Sequence, residues 1–139
     1  MSAELTTLRR IADEFMSKGD FTHYDELVAP DLVDHDVFYG EPQGTYESLR
    51  GFIIGLRTAL PDLRFTFESG AVSEDRIFAR FTASGTMTGP LGEIPPTGKY
   101  AEWTEFHEIR VNSQNQMVEH WGAGAEDVMR GMLGLHAQG

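Results

Sequence analysis

The hydrophobic pattern of this chain changes its period near Pro61, and no other feature of the sequence restricts the fold as strongly. Before Pro61, apolar residues recur every three or four positions, which is the spacing of an amphipathic helix. After it, Leu63, Phe65 and Phe67 alternate with polar residues, as in a half-buried strand. Helices that precede a run of neighbouring strands are typical of an α+β fold.

The same pattern predicts the position of each element. We expect a first helix that ends near Gly19, a short second helix between Asp20 and Pro30, and a third helix from a cap at Thr45 to Leu60. Strands are predicted over residues 63–68, 77–87, 100–111 and 116–123, with a last helix over 126–133. Residues 31–44 lack a sustained period and predict a loop. No linker or repeat divides the chain, so residues 1–139 are expected to form one domain.

Composition excludes several classes of function. The formal net charge is -11, which disfavours nucleic acid and anionic membranes as partners. The chain has no cysteine, which excludes disulfides, thiol catalysis and cysteine-ligated metal. The N-terminus does not resemble a signal peptide and no apolar run is long enough to span a membrane, so a cytoplasmic protein is predicted.

The predicted strand over residues 100–111 carries the most informative chemistry. One of its faces presents Trp103, Glu105 and His107 between apolar residues. Residues two apart on one face of a strand are neighbours, so the Glu105 carboxylate can orient the His107 imidazole and raise its basicity. This arrangement suits a general base on the wall of a pocket. The alternative is that the face is solvated or pairs with a second subunit.

The next strand is predicted to add a carboxylate to the same wall. Met117 and Trp121 are the apolar residues on one face, so we expect them to point inward together with Glu119, and His120 to point outward. His35 follows the second helix in a polar loop and is expected at the pocket entrance. Phe52 and Leu56 of the third helix are predicted to complete the apolar lining.

Metal binding is not predicted from the sequence. The five histidines are dispersed, and no His-x-His or Glu-x-x-His spacing lies on a predicted helix. Arg80 belongs to an amphipathic strand, where it either neutralises a buried carboxylate or lies on the surface. The sequence therefore predicts a small-molecule site without a metal or another cofactor.

Three segments of the chain resemble the SnoaL-like polyketide cyclases, which belong to the superfamily of nuclear transport factor 2-like folds. They are Leu60-Pro61-Asp62-Leu63, Glu93-Ile94-Pro95-Pro96-Thr97-Gly98-Lys99 and Met117-Val118-Glu119-His120-Trp121-Gly122. The resemblance implies a cone-shaped α+β barrel, in which a curved antiparallel sheet wraps on the N-terminal helices and encloses a pocket. It also implies a homodimer and intramolecular aldol closure without cofactor or metal.

In that family scheme His107 matches a pocket histidine on the penultimate strand. Relatives often have an aspartate four residues after the tryptophan, where this chain has Ala125. The resemblance and the residues together predict a cyclase or isomerase acting on a small, largely apolar substrate. His107 would be the acid/base, Glu105 and Glu119 its carboxylate partners, and His35, Phe52, Leu56, Trp103 and Trp121 the substrate-binding residues. An epoxide hydrolase-like enzyme and a non-catalytic lipophilic ligand-binding dimer are the alternatives.

Overall fold

The computed structural model describes residues 3–37 and 41–134 of the chain. The helices are α1 (Ala3–Arg10), which continues as a π-helical segment (Ile11–Ser17), α2 (Tyr24–Leu27), α3 (Tyr46–Ala59) and α4 (Glu126–Leu133). The strands are β1 (Val28–Asp34), β2 (Arg64–Ser73), β3 (Arg76–Thr86), β4 (Tyr100–Val111) and β5 (Met117–Ala123). Helices therefore precede the main run of strands, as the change of period predicts.

The five strands form one sheet in the order β1-β5-β4-β3-β2. Neighbouring strands from β2 to β5 are antiparallel, whereas β1 is parallel to β5. The prediction of a loop over residues 31–44 is wrong where β1 occupies it. The sequence of this strand lacks the alternation of apolar and polar residues that predicts a strand. Its burial does not alternate, and its register with β5 shifts between Val28 and Val33. Pro30 is tolerated there because β1 is an edge strand.

The core lies between the N-terminal helices and one face of the curved sheet. Phe15 of the π-helical segment and Ile53 of α3 are fully enclosed there, and so are Phe81 and Ile109 of the sheet. Helix α3 begins with the predicted cap, since the Thr45 side chain accepts a hydrogen bond from the backbone N–H of Ser48. The predicted α+β class, with a curved sheet on N-terminal helices, is confirmed.

Within residues 3–37 and 41–134, no helix combines the length and the apolar character that a membrane crossing demands.

Candidate active site

The inward face of β4 holds a buried carboxylate between a tryptophan and a histidine. The Trp103 Nε1–H donates to Glu105 Oε2 at 2.6 Å, and Glu105 Oε1 lies 2.8 Å from His107 Nε2. Trp103 and Glu105 are each 8% exposed. Because this carboxylate is almost removed from water, its two oxygens must be satisfied by protein donors. The indole and the imidazole provide them.

A β-bulge in β5 decides which side chains face this cluster. Met117 pairs with Val111, but the register then shifts, so that Glu119 pairs with Arg110 and His120 with Ile109. One extra residue reverses the alternation of side chains along the rest of the strand. His120 consequently points inward. The prediction that Glu119 and Trp121 share the inward face with Met117 is wrong.

His120 extends the hydrogen-bonded cluster to the edge strand. Its Nε2 lies 2.8 Å from His107 Nδ1, and its Nδ1 lies 2.7 Å from Asp34 Oδ1. Asp34 is buried at the end of β1 and also accepts a hydrogen bond from the backbone N–H of Asp36. An inward hydrogen-bonded chain, Glu105–His107–His120–Asp34, therefore crosses β4, β5 and β1.

The number of protons in this inward chain follows from the hydrogen-bond partner of each histidine nitrogen. Carboxylates accept, so His107 is protonated at Nε2 toward Glu105 and His120 at Nδ1 toward Asp34. The remaining two ring nitrogens face each other at 2.8 Å, and that contact needs a third proton. The two histidines thus share one proton between two buried carboxylates. Such a proton can be donated or replaced without rearranging the backbone.

Asp36 lies close to the histidine pair. Asp36 is solvent-exposed as a residue, but its Oδ2 is turned over Gly122, where a Cβ would be only 2.4 Å from it and 3.0 Å from His107 Nδ1. Desolvation of the carboxyl raises the pKa of Asp36, and the imidazoles of His120 and His107 oppose this effect. Asp36 is therefore a stronger base than an ordinary aspartate, next to a shared proton.

Three residues that were predicted to line the pocket lie instead on the outer face of the sheet. Glu119 receives a hydrogen bond from Arg110 Nε at 2.8 Å, and its other oxygen lies 2.8 Å from His35 Nε2. His35 stacks on Trp121 with ring centroids 4.7 Å apart. The bond from Arg110, followed by that from His35, lowers the pKa of Glu119. His35, Glu119 and Trp121 therefore lie on the opposite side of the sheet from His107.

The two predicted lining residues of α3 lie in different surroundings. Phe52 is 51% exposed on the outer side of the helix because Ile53, its neighbour, turns into the core instead. Leu56 is buried in the main core, to which Trp103 also belongs, and its role in substrate binding stays a prediction. Of the predicted residues, Trp103, Glu105 and His107 are joined by hydrogen bonds.

The sequence reasoning missed Asp34, Asp36 and His120 as members of the cluster. The polar run around His35 is the only signal that it offered for the two aspartates. His120 had no signal, because the bulge that turns it inward has no glycine or proline to mark it.

Comparison with known proteins identifies relatives that share this fold. The family model for SnoaL-like polyketide cyclases matches residues 6–130. IdmH from Streptomyces antibioticus, described as a candidate polyketide cyclase, is 26% identical, with a TM-score of 0.79 over 96% of this chain and 99% of its own. No curated protein matches the chain.

Two further crystal structures are similar in fold. A candidate SnoaL-like polyketide cyclase from Jannaschia sp. CCS1 is 19% identical, with a TM-score of 0.80 over 94% of this chain and 91% of its own. AclR from Streptomyces galilaeus, described as a candidate hydroxylase, is 21% identical, with a TM-score of 0.78 over 97% and 87%. These two likenesses concern the fold, and one fold can host different reactions.

Proposed function

The chain belongs to the SnoaL-like polyketide cyclase family, and on that premise we propose that it catalyses an aldol-type cyclisation or an isomerisation of a small, largely apolar carbonyl compound. The observation that carries the proposal is the 2.8 Å contact between His107 Nδ1 and His120 Nε2, close to the Asp36 carboxylate. An aldol closure needs a base for a proton next to one carbonyl and an acid for a carbonyl oxygen. The cluster contains both kinds of group.

The proposed roles follow from the geometry of the cluster. His107 is the acid/base residue, and its proton is the one that it shares with His120. Glu105 is a positioning residue, because its hydrogen bond to Nε2 fixes the His107 ring with Nδ1 toward Asp36. Asp36 accepts the proton from the substrate carbon. Asp34 holds the ring of His120 in the same manner.

The reaction conserves atoms and charge. Asp36 takes a proton from the carbon next to a carbonyl, while the histidine pair donates its shared proton to that carbonyl oxygen, which gives an enol. The enol carbon bonds to a second carbonyl carbon of the same molecule, whose oxygen takes the proton held by Asp36. The enol proton returns to the histidine pair as the first carbonyl re-forms. Without the bond-forming step, reprotonation at another carbon is an isomerisation.

Exchange of carbon-bound hydrogen tests the proposal directly. Apolar compounds with two carbonyl groups separated by one carbon are incubated with the protein in D2O, and loss of the proton signal at that carbon is followed by NMR. We expect His107→Ala and Asp36→Asn to slow the catalysed exchange at least tenfold. His35→Gln, on the outer face, is the matched control and should leave it unchanged. The proposal fails if no compound exchanges faster than in buffer, or if His107→Ala equals wild type.

The two alternative functions find less support in the structure. An epoxide hydrolase-like site would need an arginine beside the pocket acids, but Arg80 is exposed on the outer face of β3. A purely lipophilic binding site does not account for two carboxylates and two histidines that are hydrogen-bonded in the interior. The acid/base proposal explains why these groups are there.

We further propose that the protein is a homodimer in which the outer face of the sheet is covered by a second copy. Phe78 and Phe106 are 41% and 57% exposed on this face, beside an open depression of about 560 Å³ that extends from β2 to β5. Adjacent exposed aromatic side chains are characteristic of interfaces. Light scattering should give a monomer for Phe106→Asp and a dimer for Ile54→Asp, a control on α3. A wild-type monomer would refute the proposal.

The described residues share one sheet and one core, which supports a single domain over residues 1–139. A cytoplasmic location stays a prediction from the sequence.

A further inference from the structure

We infer that Asp36, His107 and His120 form a binding site for a divalent transition-metal ion of the zinc class. Each residue offers one ligand atom, and these three atoms all lie within 4.8 Å of one another. Imidazole nitrogen and carboxylate oxygen are ligands that zinc and its neighbours in the first transition row accept. This inference does not rest on the proposed reaction, because binding can be measured without any substrate.

The strongest support comes from the nitrogens that would not touch the metal. Histidines that bind metals usually donate the other ring N–H to a carboxylate, which fixes the tautomer and aims the free lone pair. Here both histidines are held in this way, His107 by Glu105 at 2.8 Å and His120 by Asp34 at 2.7 Å. Both carboxylates are buried, at 8% and 5% exposure. The two ring nitrogens that remain lie 2.8 Å apart, so one ion can reach both.

The separation of these nitrogens is close to what a metal requires. Zinc bonds to histidine nitrogen at about 2.0–2.1 Å, so two such ligands at a tetrahedral angle lie roughly 3.3 Å apart. His107 Nδ1 and His120 Nε2 are 2.8 Å apart when they share a proton. Replacing the proton by a metal therefore requires the rings to part by about half an ångström. Asp36, two residues after β1, completes the set, with its ligand oxygen within 4.8 Å of both nitrogens.

The electrostatic surroundings favour a cation at this point. Three carboxylates, those of Asp34, Asp36 and Glu105, surround the two imidazoles. The formal net charge of the chain is -11. No metal site was predicted from the sequence because a spacing pattern can show only ligands that lie on one element. These three ligands come from β4, β5 and the residues that follow β1.

Metal binding and proton transfer are mutually exclusive at this site. Both use the lone pairs of His107 Nδ1 and His120 Nε2, so a bound ion occupies the atoms that the acid/base reaction needs. A bound ion should therefore stop the acid/base reaction. The site would thus make the activity sensitive to the free concentration of transition metals.

Cobalt provides the test, since Co²⁺ replaces Zn²⁺ in such sites and absorbs visible light. The protein is stripped with a chelator, dialysed and titrated with Co²⁺ by absorbance and with Zn²⁺ by calorimetry. We expect one ion per chain and a visible Co²⁺ spectrum. Asp34→Asn should weaken binding ten- to a hundredfold, because it frees the ring of His120.

Matched variants separate this site from other histidine–carboxylate pairs. His120→Gln should abolish the Co²⁺ spectrum, and Asp36→Asn, which keeps the size of the side chain, should weaken binding at least tenfold. His35→Gln removes the outer pair with Glu119 and should leave affinity and spectrum unchanged. The inference is overturned if wild type binds no Co²⁺ at millimolar concentration, if Asp36→Asn binds like wild type, or if His35→Gln abolishes binding.

Discussion

Glu105 is the residue at which the energetics of the site can be tested most sharply. Its carboxylate accepts hydrogen bonds from Trp103 and His107, so replacement by Leu leaves both donors without a partner. A buried donor that loses its partner costs about 1–3 kcal/mol. The Trp103 N–H bears this cost almost fully because the residue is 8% exposed. The His107 side chain is 13% exposed and recovers part of its cost through water.

We therefore expect Glu105→Leu to lower the free energy of unfolding by about 2–4 kcal/mol. Glu105→Gln should lower it by about 1 kcal/mol or less, because the amide oxygen still accepts from Trp103. The amide N–H then donates to His107 Nε2, and His107 moves its own proton to Nδ1. This tautomer makes the hydrogen bond to His120 without a third shared proton. The Gln variant should consequently fold well and lack the acidic proton.

Equilibrium unfolding in guanidinium chloride at pH 7 measures both values. Glu102→Leu is the matched control, since Glu102 is exposed on the opposite face of β4, and its effect should stay within about 0.5 kcal/mol. The reasoning is refuted if Glu105→Leu costs less than about 1 kcal/mol, or if Gln and Leu destabilise equally.

Three further predictions concern other parts of the molecule. Thr45→Ala removes the capping box with Ser48 and should cost about 1 kcal/mol in denaturant unfolding; no measurable loss would contradict the cap. Gly122→Ala places a methyl group where it would collide with the Asp36 carboxylate, which must then move toward water. NMR titration should therefore find the pKa of Asp36 closer to its usual value, and an unchanged pKa would refute the contact. Because the pKa of Asp36 is raised on folding, its stabilising contribution is present below the unfolded pKa and is lost as pH rises through the folded pKa. The stability of Asp36→Asn relative to wild type should therefore increase over that pH range, and a decrease in thermal unfolding experiments would contradict the raised pKa.

The elements with a regular period could be predicted from the sequence. Strand β4 and helix α4 have the predicted bounds, and α3 begins after the predicted cap at Thr45. These segments have local signals, namely alternation, a capping residue and a terminal glycine. The contact between Glu105 and His107 needs only two positions on one regular strand.

The remaining members of the site depend on long-range pairing. The bulge in β5 appears only when β5 is aligned with β4, and it exchanges Glu119 and Trp121 for His120 on the inward face. Strand β1 likewise owes its conformation to its parallel pairing with β5, which places Asp34 beside His120. Neither strand pairing is determined by residues close in sequence to those that it positions. Periodicity alone therefore could not place Asp34 and His120 on the inward face.

Heteronuclear NMR of the histidine side chains tests most directly whether His107 and His120 are joined on the inward face. From the hydrogen-bond partners we predict a proton on His107 Nε2, a proton on His120 Nδ1, and a scalar coupling between the two facing nitrogens. Asp34→Asn should shift the His120 nitrogens, and Glu119→Gln only those of His35. If no coupling is observed, and if Glu119→Gln rather than Asp34→Asn changes His120, then the proposed site is wrong.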